Sequence, residues 1–274
     1  MRHKTACKVR MLFVSIVQLL GFMLAGSALG ADSNPGPIFA CDDVSEYPPY
    51  TYFDRENGKP TDRVVGYTVD SLKKIFKDRP VVVELVPWNR CLQMTKAGTK
   101  YQIALGVQKT VEREADFIFT APLSQLQSDY FYSRKKYPDG LVIHTLSDLQ
   151  NYKVCGLFGY NYDQYGLPPS KVLTTYKFHQ LIPLVLRDSC DLFIEYRQVI
   201  QGYRKIDDQL RQQIDDPDLG HQPVPGITDT AYYLIVPRSL PDAKTLVDKL
   251  NSGFEALGKS GEKANLLKKY NITN

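Results

Sequence analysis

Short apolar segments alternate with amphipathic segments along this chain, and this alternation limits its possible folds more than any other feature. The first round contains strand-like and helix-like segments in turn, at residues 38–43, 64–79, 81–87, 88–98 and 101–107. Apolar residues recur at helical spacing in the segment 64–79, namely Val69, Leu72, Ile75 and Phe76. Strand, helix, strand, helix, strand is typical of a parallel sheet covered by helices.

A second round repeats this architecture without repeating the sequence. A strand at 153–159, a helix at 179–189 and a strand at 190–196 are followed by a strand at 230–238. Residues 241–270 predict two amphipathic helices, which could extend either half of the molecule. By contrast, residues 45–63 are rich in turn formers and predict a long loop. The sequence thus favours an α/β fold with two lobes.

The first 30 residues are predicted to be a cleaved secretory signal peptide. A basic stretch precedes an apolar run from Met11 to Gly26, which is shorter than the roughly 20 residues of a membrane-spanning helix. Ala28 and Gly30 suit the two positions that a signal peptidase recognises, so cleavage is expected after Gly30. The alternative is a retained N-terminal anchor. Cleavage would release the protein into the periplasm.

The net positive charge of the chain belongs to this leader. The leader holds four of the 34 Lys and Arg residues and none of the 30 Asp and Glu residues, which leaves 30 of each sign in the remainder. A balanced surface gives no reason to expect binding to nucleic acid or to an anionic membrane.

Four cysteines follow the leader, and an even number in an exported protein indicates disulfides. They are Cys41, Cys91, Cys155 and Cys190. Their spacing does not fit a CxxC redox or zinc motif, and three pairings are possible.

The sequence lacks the common catalytic motifs. The histidines at positions 3, 144, 179 and 221 are scattered and form no metal-ligand spacing. There is no GxSxG nucleophile step, no phosphate-binding GxxxxGK and no GxGxxG dinucleotide motif. We therefore expect no enzyme activity, no metal and no cofactor. Nothing in the sequence argues for an oligomer, so a monomer is expected.

Three motifs in order carry a resemblance to a known family: YPPYTY at 47–52, GYTVD at 66–70 and GVQKTVEREADFIFTAPL at 106–123. With them the chain resembles the polar amino-acid branch of periplasmic solute-binding proteins of ABC importers, known as family 3. The resemblance implies two lobes joined by crossing strands near 124–133 and 227–232. The first lobe would comprise residues 31–126 and 229–274, including both C-terminal helices, and the second lobe residues 127–228. It also implies one disulfide per lobe, Cys41–Cys91 and Cys155–Cys190.

The resemblance implies that Arg113 binds a carboxylate of the solute. A guanidinium presents a rigid fork of donors that matches a carboxylate with two parallel hydrogen bonds. Without the resemblance, Arg113 would be expected to pair with a neighbouring acid, Glu112, Glu114 or Asp116. Gly106 and Gln108 would line the same wall of the cleft.

Aromatic residues are expected to cover the solute, because Tyr47 and Trp88 occupy positions where the family places such rings. Aromatic faces bind apolar stems and attract ammonium groups. Tyr50 and Tyr52 are expected to pack or lie at the surface instead. Arg90 could supply a second cation to the cleft or could pair within its own helix.

In the second lobe the resemblance points to Tyr160 and Asn161, in the turn after the strand at 153–159. The bulky Tyr160 replaces the small hydroxyl residue usual there, which implies a cleft of different shape or a smaller ligand. An acid is expected near the end of the strand at 190–196 to hold an ammonium group, and Glu195 is chosen over Asp191.

The resemblance therefore implies a periplasmic binding protein that captures a small carboxylate-bearing solute, in particular an amino acid, for the membrane permease of an ABC importer. Two alternatives use the same fold. One is a sensor that signals through a membrane receptor, and the other is a dehydratase-like enzyme in which Glu195 and Arg113 act on a carboxylic acid.

Overall fold

The computed structural model describes residues 36–272, which form a ten-stranded sheet, a two-stranded hairpin and flanking helices. The signal peptide predicted at 1–30 lies outside the described residues. The strands are β1 (Ile38–Asp43), β2 (Tyr52–Glu56), β3 (Lys59–Val65), β4 (Val81–Val86), β5 (Ile103–Val107), β6 (Phe117–Phe119), β7 (Ser124–Ser133), β8 (Val154–Leu157), β9 (Val172–Thr175), β10 (Leu192–Tyr196), β11 (Leu219–Pro223) and β12 (Asp229–Pro237). The helices are α1 (Tyr67–Ile75), α2 (Trp88–Lys96), α3 (Val111–Asp116), α4 (Leu181–Leu186), α5 (Arg197–Ile206), α6 (Asp208–Ile214), α7 (Ala243–Lys259) and α8 (Glu262–Lys269).

The first half of the sheet contains the strands β4, β1, β5 and the end of β12, in that order, with β6 also paired to β12. β1 runs parallel to β4 and β5. Ile103, Ala104 and Leu105 of β5 are fully buried, as expected for a parallel strand covered on both faces. α2 packs against β1 and β5, whereas α7 packs against β6 and β12.

The second half contains the strands β7, β10, β8 and β9, with β11 on the other edge of β7. β8, β9 and β10 are parallel, and β7 is antiparallel to β10. α4 and α5 cover this half. The two-lobed α/β fold predicted from the sequence is confirmed.

Two strands connect the halves. β7 and β12 pair with each other in antiparallel fashion, from Ser124 opposite Tyr232 to Gln127 opposite Asp229. β7 then continues into the second half of the sheet, where it pairs with β10, and β12 continues into the first half, where it pairs with β5. The boundaries of the two lobes remain a prediction, although these strands lie where the crossings were expected.

The prediction of a long loop at 45–63 is wrong, because most of this segment forms the antiparallel hairpin of β2 and β3. The two strands are joined by Asn57 and Gly58, whose φ angles are 52° and 75°. Two successive residues with positive φ match a type I′ turn, and Asn-Gly is the pair that favours it.

Both pairs of cysteines form disulfides within their own half. Cys41 of β1 joins Cys91 of α2, with 5.7 Å between Cα atoms, and Cys155 of β8 joins Cys190, with 5.9 Å. This is the pairing that the resemblance implied.

The C-terminal helices pack on the first half, where both α7 and α8 contact α1. The side chain of Asp70 in α1 accepts hydrogen bonds from Lys269 and Tyr270, each at 2.6 Å. Within residues 36–272, no helix is long and apolar enough to cross a bilayer.

Candidate functional site

A cavity lies between the two halves, where the carboxyl ends of β1, β5, β8 and β10 meet. In open α/β sheets this edge is where ligands bind. The space between its walls is about 540 Å³ when the open solvent at its mouth is included. It is lined by Asp42, Asp43, Tyr47, Trp88, Gly106, Gln108, Arg113, Tyr160, Asn161, Tyr162, Tyr165, Ile194, Glu195, Tyr196 and Tyr232.

Arg113 is positioned by two contacts on the first half of the protein. Its Nη1 donates a hydrogen bond of 2.9 Å to the carbonyl oxygen of Gln108, and its guanidinium lies 5.8 Å from the centre of the Trp88 ring. Burial lowers the pKa of Arg113 from its usual value. Among residues 36–272, the other N–H groups of the fork have no hydrogen-bond partner, so they can bind an anion in the cavity.

Two of the three acids near Arg113 in the sequence pair with lysines instead. Glu114 binds Lys109 and Asp116 binds Lys96, each with an N–O distance of 2.7 Å. Arg113 forms no salt bridge with any described residue. The interpretation of Arg113 as a partner in a surface ion pair is therefore not supported.

Gly106 lies in β5 with a φ angle of 60°, a left-handed conformation that favours glycine. The pairing of β5 with β12 shifts register beside it, as at a β-bulge. This irregularity turns the end of β5, where Gln108 follows, towards the cavity. An added Cβ at Gly106 would lie 3.6 Å from Oδ2 of Asp42.

Tyr196, at the end of β10, connects the two walls of the cavity. Its hydroxyl accepts a hydrogen bond from Nε2 of Gln108 on the first half and a 2.9 Å bond from Nε2 of Gln164 on the second. The hydroxyl of Tyr165 lies 3.4 Å away and is itself 2.8 Å from Oγ of Ser128.

Tyrosine rings form one side of the cavity. The ring of Tyr47 stacks on that of Tyr232 with centroids 5.4 Å apart, and Tyr196 meets Tyr232 edge to face at 5.2 Å. The hydroxyl of Tyr47 is buried without a hydrogen-bond partner. Tyr50 packs against Tyr47 and Tyr67 and does not line the cavity, as expected.

Glu195 lies in β10 and is 6% exposed. Its Oε1 accepts a 2.7 Å hydrogen bond from the backbone N–H of Tyr196. Burial raises the pKa of Glu195 to about 7, because a charged carboxylate loses its hydration there. By contrast, Asp191 lies outside the cavity, where it pairs with Lys136 at 2.7 Å.

Asp42 and Asp43, at the end of β1, also line the cavity, and sequence analysis missed both. Burial raises the pKa of Asp42 to about 8 and raises that of Asp43. The available signal was the pair of acids at the carboxyl end of a predicted parallel strand, which is the usual location for ligand contacts. Within residues 36–272, no group of three His, Cys, Asp or Glu residues could hold a metal ion.

Arg90 does not line the cavity, and its contact with the solute remains a prediction. Trp88 begins α2 and lies 7% exposed against the cavity, whereas Arg90 is exposed. Two residues along a helix differ by about 200° in direction, so both side chains cannot face the same side. The other predicted contacts, at Tyr47, Gly106, Gln108, Tyr160, Asn161 and Glu195, all lie at the cavity.

Comparison with known proteins gives one family and one fold. The sequence profile of the bacterial extracellular solute-binding proteins, family 3, matches residues 43–273. No curated protein sequence matches the chain.

Similar solved structures include the substrate-binding protein of an amino acid ABC transporter, with 17% identity, a TM-score of 0.67 and coverage of 86% of this chain and 99% of that one. A mutant of ArgBP from T. maritima has 20% identity and a TM-score of 0.68, covering 87% and 96%. The amino acid ABC transporter substrate-binding protein AbpA from Streptococcus pneumoniae, bound to L-arginine, has 22% identity and a TM-score of 0.67, covering 86% and 94%. At these identities the likeness shows the fold.

Proposed function

Because this chain belongs to the bacterial extracellular solute-binding proteins, family 3, we propose that it captures a small carboxylate-bearing solute, an amino acid or close relative. It works in the periplasm and delivers the solute to the membrane permease of an ABC importer. The names of the similar structures, which include a binding protein of an amino acid transporter, support this solute class.

The observation that carries the proposal is the guanidinium of Arg113. It faces the cavity without an acidic partner, while a backbone carbonyl and an indole ring hold it in place. A fixed fork of donors binds a carboxylate with two parallel hydrogen bonds, and little side-chain entropy is lost when binding occurs.

Glu195 supplies the opposite charge from the second half of the protein. An α-amino acid carries a carboxylate and an ammonium on neighbouring atoms, so it can bind Arg113 and Glu195 together. We assign solute contact to Tyr47, Trp88, Gly106, Gln108, Arg113, Tyr160, Asn161 and Glu195. Closure then brings residues 127–228, the second lobe, over residues 31–126 and 229–274, the first.

The family is one of binding proteins, which disfavours the dehydratase-like alternative. No cofactor is assigned to the site. Sensing through a membrane receptor would use the same cavity, and no observation on the described residues favours it over transport.

A thermal-shift screen of amino acids, small peptides, dicarboxylates and polyamines tests the proposal. A solute at 100 times its Kd stabilises the protein by about 2.7 kcal/mol. We expect stabilisation by carboxylate-bearing solutes, and we expect Arg113→Ala to abolish it. Arg113→Lys retains the charge but lacks the planar fork, so it should recover only part of the affinity.

Arg90→Ala is the matched control, because it removes an exposed arginine close to the cavity that does not line it. It should leave the stabilisation unchanged. A carboxylate-bearing solute that binds Arg113→Ala as tightly as the wild-type protein would remove Arg113 from the site and contradict the proposed function.

A further inference from the structure

The Cys41–Cys91 disulfide joins β1 to α2 beside two parts of the cavity wall. On β1, the residues that follow Cys41 are Asp42 and Asp43, which line the cavity. On α2, Cys91 comes three positions after Trp88, which lines the cavity as well. Residues three apart in a helix are neighbours on one face, so the bond and the indole ring lie on the same side of α2.

The disulfide anchors the end of α2 that carries Trp88. Pro87 is the N-cap residue of this helix, and a proline side chain has no polar atom that could cap the first turn. Cys41 and Cys91 are fully buried, and they pack with Trp88 in one cluster of apolar side chains. The covalent link therefore restrains the start of the helix against β1.

Trp88 in turn supports Arg113. The guanidinium lies 5.8 Å from the centre of the indole ring, and its Nη1 donates the 2.9 Å hydrogen bond to the carbonyl oxygen of Gln108. A cation is attracted to the face of an aromatic ring, and this attraction is lost when the ring turns or moves away. A shift of α2 would therefore remove one of the two contacts that orient the guanidinium.

The Cys155–Cys190 disulfide lies in the other half and provides a matched comparison. Its sequence separation is 35, against 50 for Cys41–Cys91. Stabilisation by loop closure varies only with the logarithm of loop length, so the two bonds should stabilise the fold to a similar extent. Neither Cys155 nor Cys190 is next to a cavity-lining residue in the sequence.

We propose that the Cys41–Cys91 disulfide positions the solute site in addition to stabilising the fold. It fixes the ring of Trp88, and Trp88 holds the guanidinium of Arg113 in the direction that binds a carboxylate. This inference rests on the proposed function, which assigns the solute carboxylate to Arg113. Cys41 and Cys91 are positioning residues, since they act on the solute only through Trp88 and Arg113.

Trp88 is the single tryptophan of the chain, so its fluorescence reports on this wall without any solute. Cys41→Ala/Cys91→Ala should allow acrylamide to quench it more strongly, because the ring is no longer held in its buried place. Cys155→Ala/Cys190→Ala should lower the melting temperature by a similar amount but leave the quenching unchanged. A role in stability alone would affect both double variants in the same way.

Two further measurements connect the bond to Arg113 and to binding. Arg113→Ala should increase the quenching in the disulfide-bonded protein, where the guanidinium lies beside the ring, and should add little to Cys41→Ala/Cys91→Ala. Calorimetry uses the amino acid that gives the largest shift in the thermal-shift screen. Its Kd should rise about tenfold in Cys41→Ala/Cys91→Ala, because two side chains must then be ordered on binding. Cys155→Ala/Cys190→Ala should bind as tightly as the wild-type protein.

Equal acrylamide quenching in the two double variants would overturn the inference, and so would equal affinity for the amino acid. If Cys41→Ala/Cys91→Ala does not fold, Cys41→Ala/Cys91→Val, which refills more of the buried volume, takes its place. A wild-type protein that binds no amino acid would contradict the proposed function, whereas the quenching would still decide whether the disulfide fixes Trp88.

Discussion

Asp42 and Glu195 keep their protons to a higher pH in the folded protein than in the unfolded chain. Burial raises the pKa of Asp42 from 3.8 to about 8 and that of Glu195 from 4.5 to about 7. At a pH between the unfolded and the folded pKa of each group, the folded state binds more protons than the unfolded state. The free energy of unfolding of the ligand-free protein therefore falls as pH rises from about 5 to about 8. Each group contributes a slope of up to about 1.4 kcal/mol per pH unit.

Thermal unfolding of ligand-free protein between pH 5 and pH 8 measures this dependence. Asp42→Asn should remove about 1 kcal/mol per pH unit of the slope near pH 6, and the exposed control Asp62→Asn should not change it. The other charged and titratable groups that line the same cavity are Asp43, Tyr47, Arg113, Tyr160, Tyr162, Tyr165, Glu195, Tyr196 and Tyr232. Carboxylates whose pKa is lowered, such as Asp70 and Asp191, change the stability only at pH values below this range. An equal slope in Asp42→Asn would contradict the prediction.

At the residue scale, the sequence predicted side chains whose chemistry is visible in a motif. Arg113 belongs to the motif at 106–123, and its side chain lines the cavity. Asp42 and Asp43 belong to no such pattern, and their importance depends on where β1 ends relative to β5 and β10. The sequence left two directions open for Arg90, because its direction depends on the residue at which α2 begins.

At the scale of single elements, the short helix α3 determines where Arg113 lies. Oγ1 of Thr110 accepts a 3.3 Å hydrogen bond from the backbone N–H of Arg113, which caps the first turn. Thr110→Ala should lower the free energy of unfolding by about 1 kcal/mol. It should also weaken solute binding several fold, because the guanidinium is held less firmly.

Thr110→Ser preserves the capping hydroxyl and is the matched control. Denaturant unfolding gives the stability and calorimetry gives the Kd of each variant. If Thr110→Ala and Thr110→Ser bind the solute with equal affinity, the cap does not position Arg113.

The regular elements with clear periodicity were predicted well, and those specified by local turns were not. The strands β1, β4 and β5 and the helices α1 and α2 follow from apolar patterning. The β2–β3 hairpin was missed because its strands are polar and half exposed, although Asn57-Gly58 marks its turn. The polar stretch after β10 gave no clear pattern, yet it forms α5, α6 and β11.

At the scale of the whole molecule, the two halves touch beside the cavity as well as across it. The hydroxyl of Tyr203 in α5 donates to the carbonyl oxygen of Ser45 at 2.6 Å, and the carbonyl oxygen of Glu46 lies 2.8 Å away. Oγ of Ser45 donates to the carbonyl oxygen of Tyr176 at 3.0 Å. An added Cβ at Gly202 would lie 2.4 Å from the carbonyl oxygen of Pro48, so glycine permits this close approach. These contacts link the two halves beside the cavity.

Tyr203→Phe tests whether closure by these contacts retains the solute. Tyr203 does not line the cavity, and its ring stacks on Phe178 at 4.3 Å, so the variant should fold and keep every solute contact. Losing a hydrogen bond of about 0.5–1.5 kcal/mol favours the open form and should raise the dissociation rate about threefold to tenfold. Stopped-flow binding of the solute identified by the thermal screen measures both rates. Association should stay within about twofold, because opening does not limit encounter. An unchanged dissociation rate would show that the contacts around Ser45 do not control release.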